Sequence, residues 1–131
     1  MADTILMDKK EAQEAIDEYE KIQDEADGAE TKSEGWTYKL KKPVMYNGKE
    51  YTELTFNFEK LTGADSLSIM NEIAIRRGRF VVEPGLDADY RMAMAAKACT
   101  EPIGTDIFSV MSLRDFNRII GKARTFLISL L

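Results

Sequence analysis

No histidine occurs anywhere in the chain, and cysteine occurs once, at Cys99. The first absence removes the most common general base and the most common metal ligand. Ser-His-Asp and Cys-His arrangements are therefore excluded, and a zinc site lacks its usual ligands. A lone cysteine forms no internal disulfide, which fits a reducing compartment and so the cytoplasm. There is no run of about 18 apolar residues, so no membrane span is expected. The opening residues, MADTILMDKKEAQEAIDEYEK, lack the basic-then-apolar order of a secretory signal. Neither GxGxxG nor GxxxxGK[ST] occurs, so phosphate cradling has no support. Internal repeats are missing too, and no cofactor or metal is expected.

Negative charge is abundant but confined. Residues 1–35 carry 12 acidic and 4 basic side chains, whereas the remainder carries 11 and 14. The acidity belongs to the N-terminal segment, and the weakly basic, mixed remainder does not describe a nucleic-acid surface. The cluster Arg76, Arg77 and Arg79 reads as arginine drawn to a helix C-terminus.

Asp8 to Asp27 is rich in helix formers, with a narrow seam of Ala12, Ala15, Tyr19, Ile22 and Ala26. It is either a solvated, marginal helix or an arm that docks on a partner or a second copy. Asp27 to Gly35 reads as a flexible linker, giving two units: an acidic helical arm and linker over 1–35, and a compact domain over 36–131. In the latter, Trp36, Tyr38 and Leu40 alternate as a strand that Pro43 demotes to an edge or splits around a bulge. Asn47-Gly48 is a type I′ turn sequence. Leu54, Phe56 and Phe58 then share one face of the returning strand. Helices are expected over about Gly63–Arg77, capped by Thr62 and stopped by Gly78; Ala88–Thr100, capped by Asp87; and from Ser112 to the end, with a short turn at Ile107–Met111. Leu67, Met70, Ile73 and Ala74, with Ile69 nearby, form the buried stripe expected of the first. The fold class is therefore α+β: a small antiparallel hairpin or sheet packed on about three helices, with the acidic helical arm in front.

Cys99 lies among alanines with no base or positive field beside it and reads as a core residue. Glu50, Glu53 and Glu59 read as a solvated strand face. Seven methionines stand out, because methionine packs adaptably and suits tolerant binding surfaces. The last residues, FLISLL, are nearly all apolar, so this end is either buried or a sticky surface. The candidate partner-binding residues are Phe126, Leu127, Leu130 and Leu131, with Met92 and Met94. Phe56, Phe58, Leu67, Ile73, Phe116 and Ile120 are assigned to the core, and no catalytic residue is assigned.

The ordered set of segments carries a resemblance. KKPVMYNGKEYTELTF at Lys41–Phe56, LTGAD at Leu61–Asp65 and MSLRDF at Met111–Phe116 together resemble the tail assembly chaperones of long-tailed bacteriophages and prophages, over about Tyr38 to Leu131. The acidic arm departs from that pattern, whose hairpin lies near the N-terminus. The resemblance implies a non-enzymatic cytoplasmic protein that coats the helical tape measure protein and recruits tail tube subunits. Self-association is compatible with this reading; nucleic acid and membrane partners are not expected. The competing readings are a small structural or adaptor protein of a phage tail or other assembly and, more remotely, a carboxylate enzyme.

Overall fold

Asn47 (φ 49°) and Gly48 (φ 77°) both take positive φ, so the chain reverses in the tight turn this pair favours. The computed structural model describes residues 9–27, 30–32 and 35–131. The elements are α1 (Lys9–Asp27), β1 (Glu30–Lys32), β2 (Gly35–Tyr46), β3 (Lys49–Phe56), α2 (Gly63–Arg77), α3 (Ala88–Ala98), the single turn α4 (Ile107–Val110) and α5 (Leu113–Ser129). Residues 1–8, 28–29 and 33–34 of the expected arm and linker, and the Ala26 side chain of its seam, lie outside the described residues.

The sheet has the antiparallel order β1-β2-β3. β2 and β3 pair from Trp36↔Phe56 to Lys39↔Glu53, and again from Val44↔Tyr51 to the turn. Leu40 to Pro43 thus face Thr52 alone, and the bulge expected around Pro43 is present. A bulge absorbs extra residues by bending one strand, and here the inward face of β3 changes parity between Tyr51 and Leu54. β1 pairs Glu30↔Thr37, Thr31↔Trp36 and Lys32↔Gly35. The polar stretch read as a free linker therefore contains an edge strand, because backbone pairing needs no apolar side chains. Gly35 allows that pairing: its φ is 125°, and a Cβ there would lie 2.4 Å from the Phe56 carbonyl oxygen.

Trp36, Tyr38, Leu54 and Phe56 of the sheet are buried against Ile69, Ile73, Ala95, Ala98, Ile119 and Ala123 of the helices. An aromatic row runs through this core. Tyr38 stacks on Trp36 (5.4 Å), Trp36 meets Phe56 (5.9 Å), Phe56 stacks on Phe58 (6.1 Å) and Phe58 on Phe126 (5.3 Å). The row ties β2 to the last turns of α5. After α3, the backbone rejoins the sheet: Asn57 donates to the Ala98 carbonyl and Thr100 to the Thr55 carbonyl, both at 2.8 Å.

The helix boundaries follow their caps. Thr62 and Asp65 form a reciprocal capping box on α2, and Gly78 ends that helix in the left-handed conformation. Asp87 caps α3, which ends at Ala98 rather than Thr100, since the following backbone is claimed by β3. One core assignment is corrected. Ile69 and Ile73 are the buried residues of α2, whereas Leu67 is 66% exposed. Two residues from Ile69 is a rotation of about 200° round the helix, which turns Leu67 away from the body. Phe56, Phe58, Ile73 and Ile120 are core residues, with Phe116 half-buried at the margin.

Asp115 joins the two halves of the fold. Its buried carboxylate accepts from Tyr38 Oη (2.7 Å), Lys41 N (3.0 Å), Lys42 N (3.1 Å) and Ser112 Oγ (2.9 Å). Lys41 and Lys42 lie in the bulge, so this one side chain satisfies backbone donors that the sheet ladder leaves over.

Candidate functional site

α5 begins on the Ser112 cap and is apolar at 3–4-residue spacing throughout, so one side of it faces the body. Its buried apolar residues, Ile119, Ile120 and Ala123, lie in its middle, where α3 brings the small residues Ala95 and Ala98. Toward both ends the cover thins, and a groove opens at each.

The C-terminal groove has a volume of about 320 Å³. Its apolar wall combines Phe126, Leu127 and Leu130 of α5 with Phe58, Leu61, Ile69 and Met94, and its polar rim includes Glu59, Thr62, Asp65, Ser66 and Tyr90. Hydrogen bonds hold the rim in place. Ser66 Oγ and Tyr90 Oη lie 2.7 Å apart, and Asp65 accepts the Thr62 backbone N–H at 2.8 Å. That backbone donor, with the Thr62 hydroxyl, holds the Asp65 carboxyl below the usual carboxylate range.

The second groove, about 590 Å³, lies at the other end of α5. Met92, Phe108, Met111, Leu113 and Phe116 line it, with Arg76, Arg77, Asp89 and Asp106 around them. Phe108 and Phe116 meet edge-on at 6.1 Å. An ion-pair group braces this end: Arg79 reaches Asp87 at 2.6 Å and Asp89 at 2.8 Å, and Arg77 reaches Asp89 at 3.3 Å. The Arg79 guanidinium lowers the pKa of Asp87, and the two carboxylates raise that of Arg79. In the loop that follows Arg79, Val81 packs against the core, whereas Phe80 is 83% and Val82 91% exposed.

The structure thus brings Met94, Phe126, Leu127 and Leu130 to one groove and places Met92 in the other. Met94 lies beneath the groove rather than on its rim. It is 3% exposed and fills the core floor of its groove, because the inner face of α3 turns it toward the body. Leu130 and Leu131 are exposed, and Leu131 lines neither groove. Sequence reasoning gave no contact role to Phe108 and Leu113 and placed Met111 only within the methionine group. The available signal was the methionine grouping and the apolar single turn of α4, which join α5 only through the tertiary fold.

Cys99 is buried, and burial followed by its hydrogen bond to Glu101 (3.1 Å) pushes the thiol up to about 12. Glu50, Glu53 and Glu59 are exposed on the hairpin and the turn after it. Among the described residues, no group of three or more His, Cys, Asp or Glu side chains could hold a metal ion. No helix among them is long and apolar enough to cross a membrane.

No curated protein and no solved structure matches the chain. A family model does, over residues 37–128, and its description is phage tail assembly chaperone proteins, E, or 41 or 14. The matched span runs from β2 to the end of α5 and contains the hairpin, the Asp115 junction and most of both grooves. The chain belongs to this family of phage tail assembly chaperone proteins.

Proposed function

We propose that the chain binds the tape measure protein in the host cytoplasm, shields it, and promotes addition of tail tube subunits around it, without enzymatic chemistry. The observation that carries this reading is the apolar C-terminal groove. It is open at the surface, its wall ends in exposed Leu130, and a methionine lies in its floor. Amphipathic helices dock into such grooves through apolar anchors spaced along one face, and a polarizable, adaptable floor tolerates variation among those anchors. A non-enzymatic role is supported by the lack of histidine and by the buried, raised thiol of Cys99. We further propose that 36–131 is the working body and 1–35 an accessory arm.

The test is co-expression with fragments of the neighbouring tape measure protein. The wild-type chain is expected to raise the soluble fraction of at least one helical fragment, and Leu130→Asp with Leu131→Asp to abolish that effect while thermal unfolding stays unchanged. A tape measure whose solubility is indifferent to the wild-type chain would overturn the reading. Purified tails should contain none of the chain; a structural adaptor would remain in them.

A further inference from the structure

The groove at the N-terminal end of α5 has an apolar wall that ends in largely exposed Leu113, and four charged side chains line it as well. Those charges are unequally satisfied. The two acids are engaged within the chain. Asp106 Oδ1 accepts from Tyr46 Oη at 2.6 Å, and that hydroxyl accepts in turn from the Gly104 N–H at 3.1 Å. The Asp89 side chain is 18% exposed and takes one arginine on each oxygen, Arg77 at 3.3 Å and Arg79 at 2.8 Å.

The two arginines of the groove have donors to spare. A guanidinium offers several N–H groups in a fixed fork. Arg77 uses one of them, on Asp89, and its side chain is 57% exposed. Arg76 is 48% exposed and meets Glu72 of its own helix at 3.8 Å, beyond hydrogen-bond range. Arg79 differs, since it makes three hydrogen bonds to Asp87 and Asp89. Attraction to the C-terminus of α2 accounts for cations at 76 and 77, but it leaves their guanidinium donors over, beside the apolar wall. A segment that enters the groove therefore comes within reach of them. The matching chemistry is an apolar anchor with a carboxylate near it, because a carboxylate fits the guanidinium fork. A basic segment would meet Arg76 and Arg77 while Asp89 and Asp106 are already held.

We propose that this groove selects its segment of the tape measure protein by acidity. It takes an amphipathic helix whose apolar anchors lie one turn from Asp or Glu, neighbours on the same helix face, and Arg76 and Arg77 determine that specificity. The inference rests on the client reading above. Half-exposed rim charges act chiefly on the rate of encounter and its salt dependence, whereas apolar anchors act on dissociation.

Association and dissociation rates of labelled tape measure fragments with the full-length chain test it. Fragments that use this groove are those that dissociate faster from Leu113→Ser. For these, Arg76→Gln/Arg77→Gln is expected to lower the association rate about three- to tenfold and to flatten its dependence on salt between about 50 and 300 mM, with the thermal midpoint unchanged. Lysine in place of the fragment's acidic residues should reproduce that loss against the wild-type chain, and Arg76→Glu/Arg77→Glu should restore binding of the lysine fragment. A fragment that responds to Leu113→Ser but binds the glutamine variant at the wild-type rate and salt dependence overturns this inference and leaves the client reading standing. So does binding that ignores Leu113→Ser in every fragment. If no fragment binds the wild-type chain, the client reading fails and this inference with it. Wild-type self-association that Leu113→Ser abolishes would give the groove to a second copy and overturn it as well.

Discussion

Asp115 holds the bulge of β2, the cap of α5 and the hydroxyl of Tyr38 in one place. Removing a carboxylate with four donors leaves the buried Tyr38 hydroxyl unsatisfied, at about 1–3 kcal/mol, and takes the partner from three part-buried donors, Lys41 N, Lys42 N and Ser112 Oγ. Asp115→Ala is therefore expected to lower unfolding stability by about 3–5 kcal/mol, read from urea denaturation. The acid limb of stability should carry the same signature. Burial pushes the Asp115 pKa up, but the donors from Lys41, Tyr38, Lys42 and Ser112 outweigh it, and the folded pKa is lowered. A depressed folded pKa contributes stability that is complete above the unfolded value, about 3.9, and is lost as pH falls through the folded one. Asp115→Asn should flatten that acid dependence while keeping the side-chain shape. An acid limb that is the same in both chains would assign it to other carboxylates. Gly35 is the second position at which one residue decides local geometry. Gly35→Ala meets both a φ of 125° and the Phe56 carbonyl at 2.4 Å, and should lower the thermal midpoint by destabilising the fold by about 1–3 kcal/mol.

At the scale of elements, what was legible depended on how local its cause was. The ends of α2 are set by Thr62, Asp65 and Gly78, all within the helix or one residue of it, and the sequence motif locates them directly. Thr62→Ala should therefore cost about 1 kcal/mol, measured as a loss in the unfolding midpoint without change in its denaturant slope. The hairpin turn and the three-residue interval from Ser112 to Asp115 were equally visible. What Asp115 reaches was not, because Lys41, Lys42 and Tyr38 lie 73 to 77 residues away. The misplacement of Leu67 has a similar origin. Spacing defines a stripe only to within about a turn, and the packing of α3 decides which edge of it is covered. β1 left no apolar trace, since the residues that pair with β2 are Glu30, Thr31 and Lys32. Of the candidate site, the apolar C-terminus was legible from composition. The groove around it was not, since Phe58, Leu61 and Ile69 come from other elements.

Over the whole molecule, the decisive geometry is that both body grooves use the inward side of α5 but lie at its two ends, with the α3–α5 contact between them. From Phe116 to Leu127 the helix rises about 16 Å, and the intervening Ile119, Ile120 and Ala123 are sealed by the core. Under the proposed function, one straight client helix cannot occupy both grooves through that sealed stretch, so the client is expected to fill them with two separate segments. Sites this far apart with no shared partner behave additively to within about 0.5 kcal/mol. Leu113 (71% exposed) and Leu130 (63% exposed) are the groove residues best suited to test this, because their truncation should hardly disturb the folded chain. Leu113→Ser and Leu130→Ser are each expected to weaken binding of a tape measure fragment containing both segments by about 1–1.5 kcal/mol. The double variant should lose the sum, with thermal stability within about 0.5 kcal/mol of wild type. Titration of labelled fragments distinguishes the cases. A fragment carrying one segment should respond to one substitution and ignore the other. If every fragment instead responds to both, and the double variant loses no more than either single one, the client contacts the two ends of α5 as one unit and two-segment binding is wrong.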